Sequence, residues 1–309
     1  MKSSTFTFED RYGVTIFSYK WEPDVNKPKA SVMFLTGLAD YGSRFEGLAK
    51  YLTDNDFICY VSDYRGHGKT ANDISKLGVI GPGKGDAIPS DMLQLWQIMK
   101  NENPGIPAFA YGHSLGSMIL QSFIQKHGND IDGAILSGTT GKQDMLQLVK
   151  IVVKSELKKL GYDGITEKIH NMVLTSNNKP FKKIAKTQFD WLTRDEDEVR
   201  KYSEDPYCGF PASVGFYYEL VFNPDYPWTK ENEGRIPKTL PLLFIVGEQD
   251  SLTNNTKKVK ALIKRYEKQG IRDITYKSYP NARHELHKEL SDIRNQVFVD
   301  VVAWLSSKI

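Results

Sequence analysis

YGHSLGS, residues 111–117, is the stretch that decides how the whole chain is interpreted. It follows the apolar run PAFAY and precedes a segment with helical spacing, which predicts a strand-to-helix turn at Ser114. Gly112 and Gly116 stand two residues before and two residues after that serine. Small residues are needed there because larger side chains would collide where the backbone folds sharply. The pattern therefore predicts a turn that projects the Ser114 hydroxyl into an accessible site.

Short apolar runs and helical segments alternate on both sides of this turn. The runs that predict buried strands are ASVMFLTG (30–37), FICYVSDYRG (57–66), DGAILSG (132–138) and TLPLLFIVGEQD (239–250). The N-terminal segment 4–21 alternates apolar and polar residues around Gly13, which predicts a β-hairpin. We therefore expect an α/β fold, with a mostly parallel twisted sheet flanked by helices on both faces.

The alternation stops after Thr139, and residues 141–230 contain no convincing buried strand. Within 144–161, helical spacing places one set of apolar residues on a common face: Leu146, Val149, Val153, Leu157 and Leu160. Residues 180–202, a highly charged stretch, are also predicted to be helical. The sequence thus predicts a core domain of residues 1–140 and 231–309, interrupted by a helical cap of residues 141–230.

Two residues have the positions needed to activate Ser114. A serine hydroxyl is a weak nucleophile until a base takes its proton. Asp250 follows one predicted strand and His284 follows the last one. Because the carboxyl ends of parallel strands meet at one edge of a sheet, Ser114, Asp250 and His284 are expected to converge there. Asp250 would fix the tautomer of His284, which would take the serine proton and later give it to the leaving group.

Other assignments of these residue types remain open in the sequence. Asp250 could instead cap the helix predicted after it. His287 competes with His284 as the base, although His284 lies nearer the strand end. His127 and His170 are predicted to be surface residues. Arg65 and His67, in DYRGHG (63–68), are predicted to be structural, because a histidine before the serine would give the wrong triad order.

The stretches TGLADYGSRFEGLAKYL, DYRGHGKT, YGHSLGS, VGEQDSL and ARHELHKEL together resemble the α/β-hydrolases. More narrowly, they are similar to the monoacylglycerol lipase and lysophospholipase-like serine hydrolases, on both flanks of the predicted cap. The resemblance implies an α/β-hydrolase fold and His284 as the base. It also implies an oxyanion hole of two backbone N–H groups, those of Leu38 and Leu115. Thr36-Gly37 stands where this family usually has His-Gly, which weakens the expectation for the geometry of that loop.

By position, the resemblance matches three polar residues to those that hold the free hydroxyls of a glycerol head: Asp40, Arg44 and His287. A different interpretation is equally open for two of them. Asp40 and Arg44 are four residues apart and could simply pair with each other at the start of a helix.

The function implied is a serine hydrolase that cleaves carboxylic esters of single-chain lipids, such as monoacylglycerol or lysophospholipid, through an acyl-enzyme on Ser114. A proline-releasing peptidase or amidase with the same triad is an alternative. A non-catalytic, hydrolase-like ligand-binding protein is another. No metal or organic cofactor is implied, and acyl-chain length and oligomeric state stay open.

Composition limits the partners and the location. The 309 residues carry a net charge of +3 without a concentrated basic face, so nucleic-acid binding is not expected. The lysine surplus lies in 141–190, with ten lysines against five acidic residues. These lysines are either solvated or favour transient contact between the cap and an anionic lipid surface. With no apolar core of a signal peptide and no run of about 18 apolar residues, a cytoplasmic location is expected.

Overall fold

An eight-stranded sheet organises the chain. The structure is a computed structural model, and it describes residues 1–141, 146–222 and 227–309. In chain order, the strands are β1 (Lys2–Glu9), β2 (Thr15–Glu22), β3 (Ala30–Leu35), β4 (Phe57–Ser62), β5 (Ala108–His113), β6 (Gly133–Ser137), β7 (Leu242–Gly247) and β8 (Ile274–Tyr279). Their order in the sheet is β1-β2-β4-β3-β5-β6-β7-β8. The six strands from β3 to β8 run parallel, and β1 and β2 form the predicted antiparallel hairpin.

Helices cover both faces of the sheet, as predicted. The helices of the sheet region are α1 (Glu46–Thr53), α2 (Ala87–Glu102), α3 (Leu115–His127), α9 (Lys257–Lys268) and α10 (Ser291–Ser306). Successive strand residues point to opposite faces. Met33 therefore packs with α2, α3 and α9, and its neighbour Val32 packs with α1 and α10. This double burial explains why the parallel strands are continuous apolar runs.

The segment between β6 and β7 is helical. Its helices are α4 (Leu146–Leu160), α5 (Glu167–Val173), α6 (Glu196–Glu204), α7 (Val214–Phe222) and α8 (Lys230–Gly234). None of the described residues of this segment joins the sheet, although Ile165 and Ser213 form an isolated bridge. On α4, Val153 is buried, Val149 and Leu157 are partly buried, and Leu160 is exposed. The side chain of Leu146 lies outside the described residues, and the cap limits 141 and 230 stay a prediction.

The prediction of a helix over residues 180–202 was wrong for most of its length. Only α6, its C-terminal part, is an α-helix, and the preceding residues form a 3₁₀ turn and irregular chain. Short polar side chains take the backbone N–H groups that a helix would use. Asp190 accepts from the N–H groups of Lys186 and Thr187, and Asn178 accepts from Trp191. Asp195 then caps α6 by accepting from two N–H groups of its first turn.

Among the residues that the structure describes, the longest helices are α2 and α10, with 16 residues each. A membrane-spanning helix needs about 20 residues. Within the described ranges, no helix combines the length and the apolar character required to cross a bilayer. The cytoplasmic location stays a prediction.

The backbone is crowded at the turn between β5 and α3. A Cβ atom on Gly116 would lie 2.2 Å from the carbonyl oxygen of Leu35, at the end of β3. A Cβ on Gly112 would lie 2.7 Å from the Cα of Ser117, in the first turn of α3. Both contacts are with backbone atoms, which cannot rotate away. The two glycines are therefore required by the close approach of α3 to β3 and β5, as the sequence pattern predicts.

Gly116→Ala should lower the free energy of unfolding by about 1–3 kcal/mol, because its methyl group overpacks the contact with Leu35. Gly47→Ala is the matched control, since a Cβ on this exposed glycine of α1 would meet no atom within 4 Å. That control should raise the free energy of unfolding by about 0.5 kcal/mol. Urea unfolding of both variants measures these changes. Equal changes in the free energy of unfolding would show that Gly116 is not crowded by Leu35.

Candidate active site

Ser114 occupies a strained backbone conformation at the end of β5. Its φ of 51° and ψ of −118° lie outside the regions that L-residues normally populate. Hydrogen bonds on both sides hold the residue there: its N–H donates to the carbonyl of Ser137 at 3.0 Å, and its carbonyl accepts from the Ser117 hydroxyl at 2.6 Å and from the N–H groups of Ser117 and Met118. Such strain costs about 1–3 kcal/mol and persists where the surroundings enforce it. It presents the Ser114 side chain at the carboxyl edge of the sheet.

The loops after β7 and β8 bring Asp250 and His284 into contact, as predicted. The Nδ1 atom of His284 donates to Oδ2 of Asp250 at 2.9 Å, and both residues are buried. The other oxygen of Asp250 accepts from the N–H of Leu252 at 2.9 Å. Asp250 therefore orders its own turn but does not cap α9, whose N-cap is Thr256. With Nδ1 committed to Asp250, Nε2 of His284 is the nitrogen left to accept a proton.

His284 is held on both sides. A Cβ on Gly138, after β6, would lie 2.9 Å from Cε1 of the His284 ring, so only glycine fits there. On the other side the Trp191 ring lies 4.8 Å from the imidazole, centroid to centroid. Arg283 donates to the carbonyl oxygens of Asp190 and Thr193. The segment around Trp191, inside the predicted cap, thus fixes the histidine loop.

Ser114 and His284 line one small cavity of about 10 Å³. Their side chains are not hydrogen-bonded to each other, and among the described residues Nε2 of His284 has no partner. Hydrogen bonds of this kind are often long without substrate and tighten when the reacting group is bound. The arrangement leaves a serine hydroxyl and a free imidazole nitrogen facing the same space.

The two residues predicted to supply the oxyanion donors both lie next to Ser114. Leu115 is the first residue of α3, so its N–H has no acceptor within the helix. Leu38 lines the small cavity, and a Cβ on the adjacent Gly37 would lie 3.7 Å from Cβ of Ser114. The loop of Leu38 therefore passes directly beside the serine, where its N–H can face a developing oxyanion.

The side chain of His67 supports the loop that contains Leu38. Its Nε2 accepts from the N–H of Ala39 at 3.2 Å, and its Nδ1 contacts the carbonyl of Arg65. Burial lowers the pKa of His67 to about 4, so the ring stays neutral and keeps accepting. From the cap, the Tyr202 hydroxyl donates to the carbonyl of Ala39 at 2.9 Å. The prediction that DYRGHG is structural is consistent with these contacts, and Arg65 is paired with Asp91 and Asp10.

The three predicted head-group residues are placed differently from one another. Asp40 lines the small cavity, and its Oδ2 has no partner among the described residues. Arg44 does not line it: its guanidinium bonds Asp40 Oδ1 at 3.0 Å and both oxygens of Glu285. His287 lies behind the site, stacked on Phe45 at 4.5 Å. The ion pair between Asp40 and Arg44, which the sequence offered as the other interpretation, is present. A substrate role for the three residues stays a prediction.

Sequence reasoning missed Glu285, which comes directly after His284. It is buried and lines the small cavity. Burial acts against its charge, but the guanidinium of Arg44 holds the pKa of Glu285 below its ordinary value. For Asp40, burial raises the pKa, with Arg44 opposing and Glu285 adding to the rise. The signal available in the sequence was a carboxylate immediately beside the predicted base.

The prediction that His170 is a surface residue was wrong. His170 is 3% exposed, on the inner side of α5 next to the buried Ile169. Burial also lowers its pKa. His127 is partly exposed at the end of α3.

A second, much larger cavity of about 580 Å³ lies between α3 and the cap. Its lining is mainly apolar and includes Leu115, Met118, Ile119, Val149, Val173, Phe216 and Leu220. Ser114 lines only the small cavity, but its neighbour Leu115 lines the large one. The predicted catalytic residues Ser114 and His284 therefore line the small cavity, and the large one offers an apolar space that begins one residue away.

This fold and this site define an α/β-hydrolase. A family model described as serine aminopeptidase, S33, matches residues 26–291. The chain belongs to that family.

Individual relatives match nearly the whole chain. Monoglyceride lipase of Homo sapiens is 27% identical over 96% of this chain and 88% of the lipase. Monoacylglycerol lipase of Mycolicibacterium smegmatis is 24% identical over 99% of this chain and 98% of its own. A carboxyl esterase from Bacillus coagulans, solved in complex with glycerol, superposes with a TM-score of 0.90 over 99% of each chain at 24% identity, which shows a shared fold.

His287→Phe should reduce the acid sensitivity of the fold. Burial lowers the pKa of His287 to about 3, against about 6.5 in an unfolded chain. Between these values the unfolded chain binds more protons, so the stability that the neutral ring contributes above pH 6.5 is lost as the pH falls. From pH 7 to pH 5, wild type should lose about 2 kcal/mol more unfolding free energy than the variant.

Urea unfolding of both proteins at the two pH values measures this difference. His67, whose pKa is lowered by burial as well, is present in both proteins, so its contribution to the pH dependence cancels in the comparison. An identical pH dependence of the two proteins would show that His287 is not a buried neutral ring.

Proposed function

We propose that the protein hydrolyses carboxylic esters of single-chain lipids, with Ser114 as nucleophile, His284 as general base and Asp250 as the residue that orients His284. The observation that carries the proposal is the combination of a strained serine, a carboxylate-bound histidine in the same cavity, and an adjoining apolar cavity of about 580 Å³. The relatives named above are lipases of monoacylglycerols, which supports a lipid ester as substrate.

The reaction would proceed in two halves. Nε2 of His284 takes the Ser114 proton while the serine oxygen attacks the ester carbonyl, and the resulting oxyanion lies against the N–H groups of Leu38 and Leu115. The tetrahedral intermediate collapses, the bond to the alcohol oxygen breaks, and His284 gives its proton to that oxygen. Water, deprotonated by His284, then attacks the acyl-serine and releases the fatty acid with regeneration of Ser114.

The acyl chain would occupy the large cavity. This cavity starts at Leu115, beside the carbonyl position that the oxyanion donors imply, and continues between α3 and the cap along Met118, Ile119 and Leu220. Apolar lining favours a hydrocarbon chain, because burying it removes apolar surface from water. A small-substrate esterase would leave most of this space unused.

A peptidase or amidase on the same triad is the competing enzyme, and the description of the family model names an aminopeptidase. The apolar cavity and the lipase relatives favour the ester. A non-catalytic binding protein is disfavoured by the contact of His284 with Asp250, which a protein that only binds a ligand does not need.

Hydrolysis of p-nitrophenyl esters from two to sixteen carbons tests the proposal. Wild type should prefer medium or long chains, because they fill the large cavity. Ser114→Ala should lower kcat by about ten-thousandfold or more at every length. Activity limited to the shortest esters, or stronger activity on amino-acid p-nitroanilides, would contradict the lipid ester. Full activity in Ser114→Ala would contradict the nucleophile.

Contact of the cap with an anionic lipid surface belongs to the same proposal. Ile151 on α4 is 67% exposed and Leu148, one turn before it, is 47% exposed. Lys154 and Lys158 are exposed on the same helix, and its acidic residue, Glu156, is buried. Exposed apolar residues beside exposed lysines are complementary to an anionic bilayer surface, which is also where a lipid ester resides.

Ile151→Glu should weaken binding to vesicles that contain anionic phosphatidylglycerol, by about tenfold. Ile74→Glu is the matched control, because Ile74 is 52% exposed but lies outside the cap. Co-sedimentation with the vesicles measures binding, and p-nitrophenyl butyrate hydrolysis checks that both variants are folded. Equal binding of the two variants would contradict a membrane contact through α4.

A further inference from the structure

Glu289 is a buried carboxylate that the proposed reaction does not use. It follows His284 in the same loop, and its side chain is 0% exposed. Its Oε1 accepts from the N–H of Arg283 at 2.8 Å and from the N–H of Arg194 at 3.3 Å. Its Oε2 accepts from Nε of Arg194 at 2.9 Å and from the N–H of Leu290 at 3.1 Å. One carboxylate thus binds four donors.

These donors come from two distant parts of the chain. Arg283 directly precedes His284, whereas Arg194 lies in the predicted cap, 95 positions before Glu289. Hydrogen bonds to an ionised carboxylate are about twice as strong as bonds between neutral groups. Glu289 therefore fastens the histidine loop to the predicted cap, at the residue next to the proposed base.

Backbone contacts nearby join the same two segments. The N–H of Glu285 donates to the carbonyl of Leu192 at 2.6 Å. The Thr193 hydroxyl donates to the carbonyl of Lys288 at 2.9 Å. The loop of His284 is therefore bound to one short segment of the predicted cap both before and after the histidine.

The position of the His284 ring depends on more than its bond to Asp250. That bond holds Nδ1, but it does not hold the backbone that carries the ring. The bond from the N–H of Arg283 to Glu289 fixes the backbone directly before the ring. A displacement of about 1 Å in a reacting group can cost about 100-fold in rate. Loss of this anchor should therefore slow proton transfer from Ser114.

We propose that Glu289 is a positioning residue for His284. Its carboxylate ties the backbone before the proposed base to Arg194, so that the reactivity of Ser114 depends on a contact with the predicted cap. The inference rests on the proposed ester hydrolysis. Neither Glu289 nor Arg194 is among the described residues that line the small or the large cavity, so their effect should fall on kcat and not on KM.

Glu289→Gln is the first test. The amide has almost the same size, but its NH2 group meets other donors, and Arg194 loses its counter-charge. On p-nitrophenyl octanoate, kcat should fall by about 10–100-fold, while KM stays within about twofold of wild type. Glu233→Gln is the matched control, because Glu233 is also buried and bound to an arginine, Arg265, at 2.8 Å. The control should keep the kcat of wild type.

A proton resonance separates positioning from a general loss of stability. The Nδ1–H of His284 is buried and bonded to the carboxylate of Asp250, so its NMR signal lies far downfield of the amide protons. The signal is identified by its absence from His284→Gln. It should shift or broaden in Glu289→Gln and stay unchanged in Glu233→Gln.

A second variant tests the cap side of the contact. Arg194→Met keeps the apolar stem and removes the guanidinium, and it should lower kcat by about tenfold. The double variant with Glu289→Gln should be no slower than Glu289→Gln alone, because both changes act through one contact. Arg194 is partly exposed, so Arg194→Met and its His284 resonance also carry the test if Glu289→Gln does not fold.

Wild-type kcat in the folded variants, an equal fall of kcat in Glu233→Gln, or an unchanged His284 resonance in Glu289→Gln would overturn the inference. So would effects of Glu289→Gln and Arg194→Met that multiply in the double variant. Absence of hydrolysis by wild type would instead contradict the proposed ester hydrolysis, because the resonance is measured without substrate.

Discussion

The contact between Gly116 and the end of β3 is the constraint on which the rest of the site depends. The first turn of α3 packs directly against the Leu35 carbonyl. Because this leaves no room for a wider strand-to-helix turn, Ser114 takes a positive φ. The same approach puts the loop of Leu38 beside the serine and the first N–H groups of α3 opposite it. The positions of the proposed nucleophile and of the proposed oxyanion donors thus result from one packing arrangement.

The cap contributes to the site in two ways. The irregular segment around Trp191, together with Tyr202 on α6, contacts both the histidine loop and the loop of Ala39. The helices α4, α5 and α7 instead form walls of the large apolar cavity. The first part contacts the loops that carry the proposed catalytic residues, whereas the second lines the cavity proposed for the acyl chain. On this proposal, substrate choice and catalytic geometry depend on different parts of one insertion.

Features that depend on topology and local pattern could be predicted from the sequence. Ser114, Asp250 and His284 lie just after strand ends, so parallel pairing alone brings them to one edge. The irregular chain before α6 could not be predicted, because it depends on bonds such as Asn178 to Trp191 and Arg283 to Thr193, the latter spanning 90 residues. Glu285 was missed for the same reason: its partner Arg44 is 241 positions away. His170 was misjudged because burial on a cap helix depends on what packs against it.

Every step of the proposed reaction requires Ser114 to be a nucleophile that His284 activates. Reaction of the folded protein with a fluorophosphonate, followed by mass spectrometry of the proteolytic peptides, measures this property. We expect one adduct, on Ser114, whose formation is slowed strongly in His284→Gln, because the serine then lacks its base. No adduct on the folded wild type, an adduct on another residue, or equal labelling rates in the two proteins would contradict it.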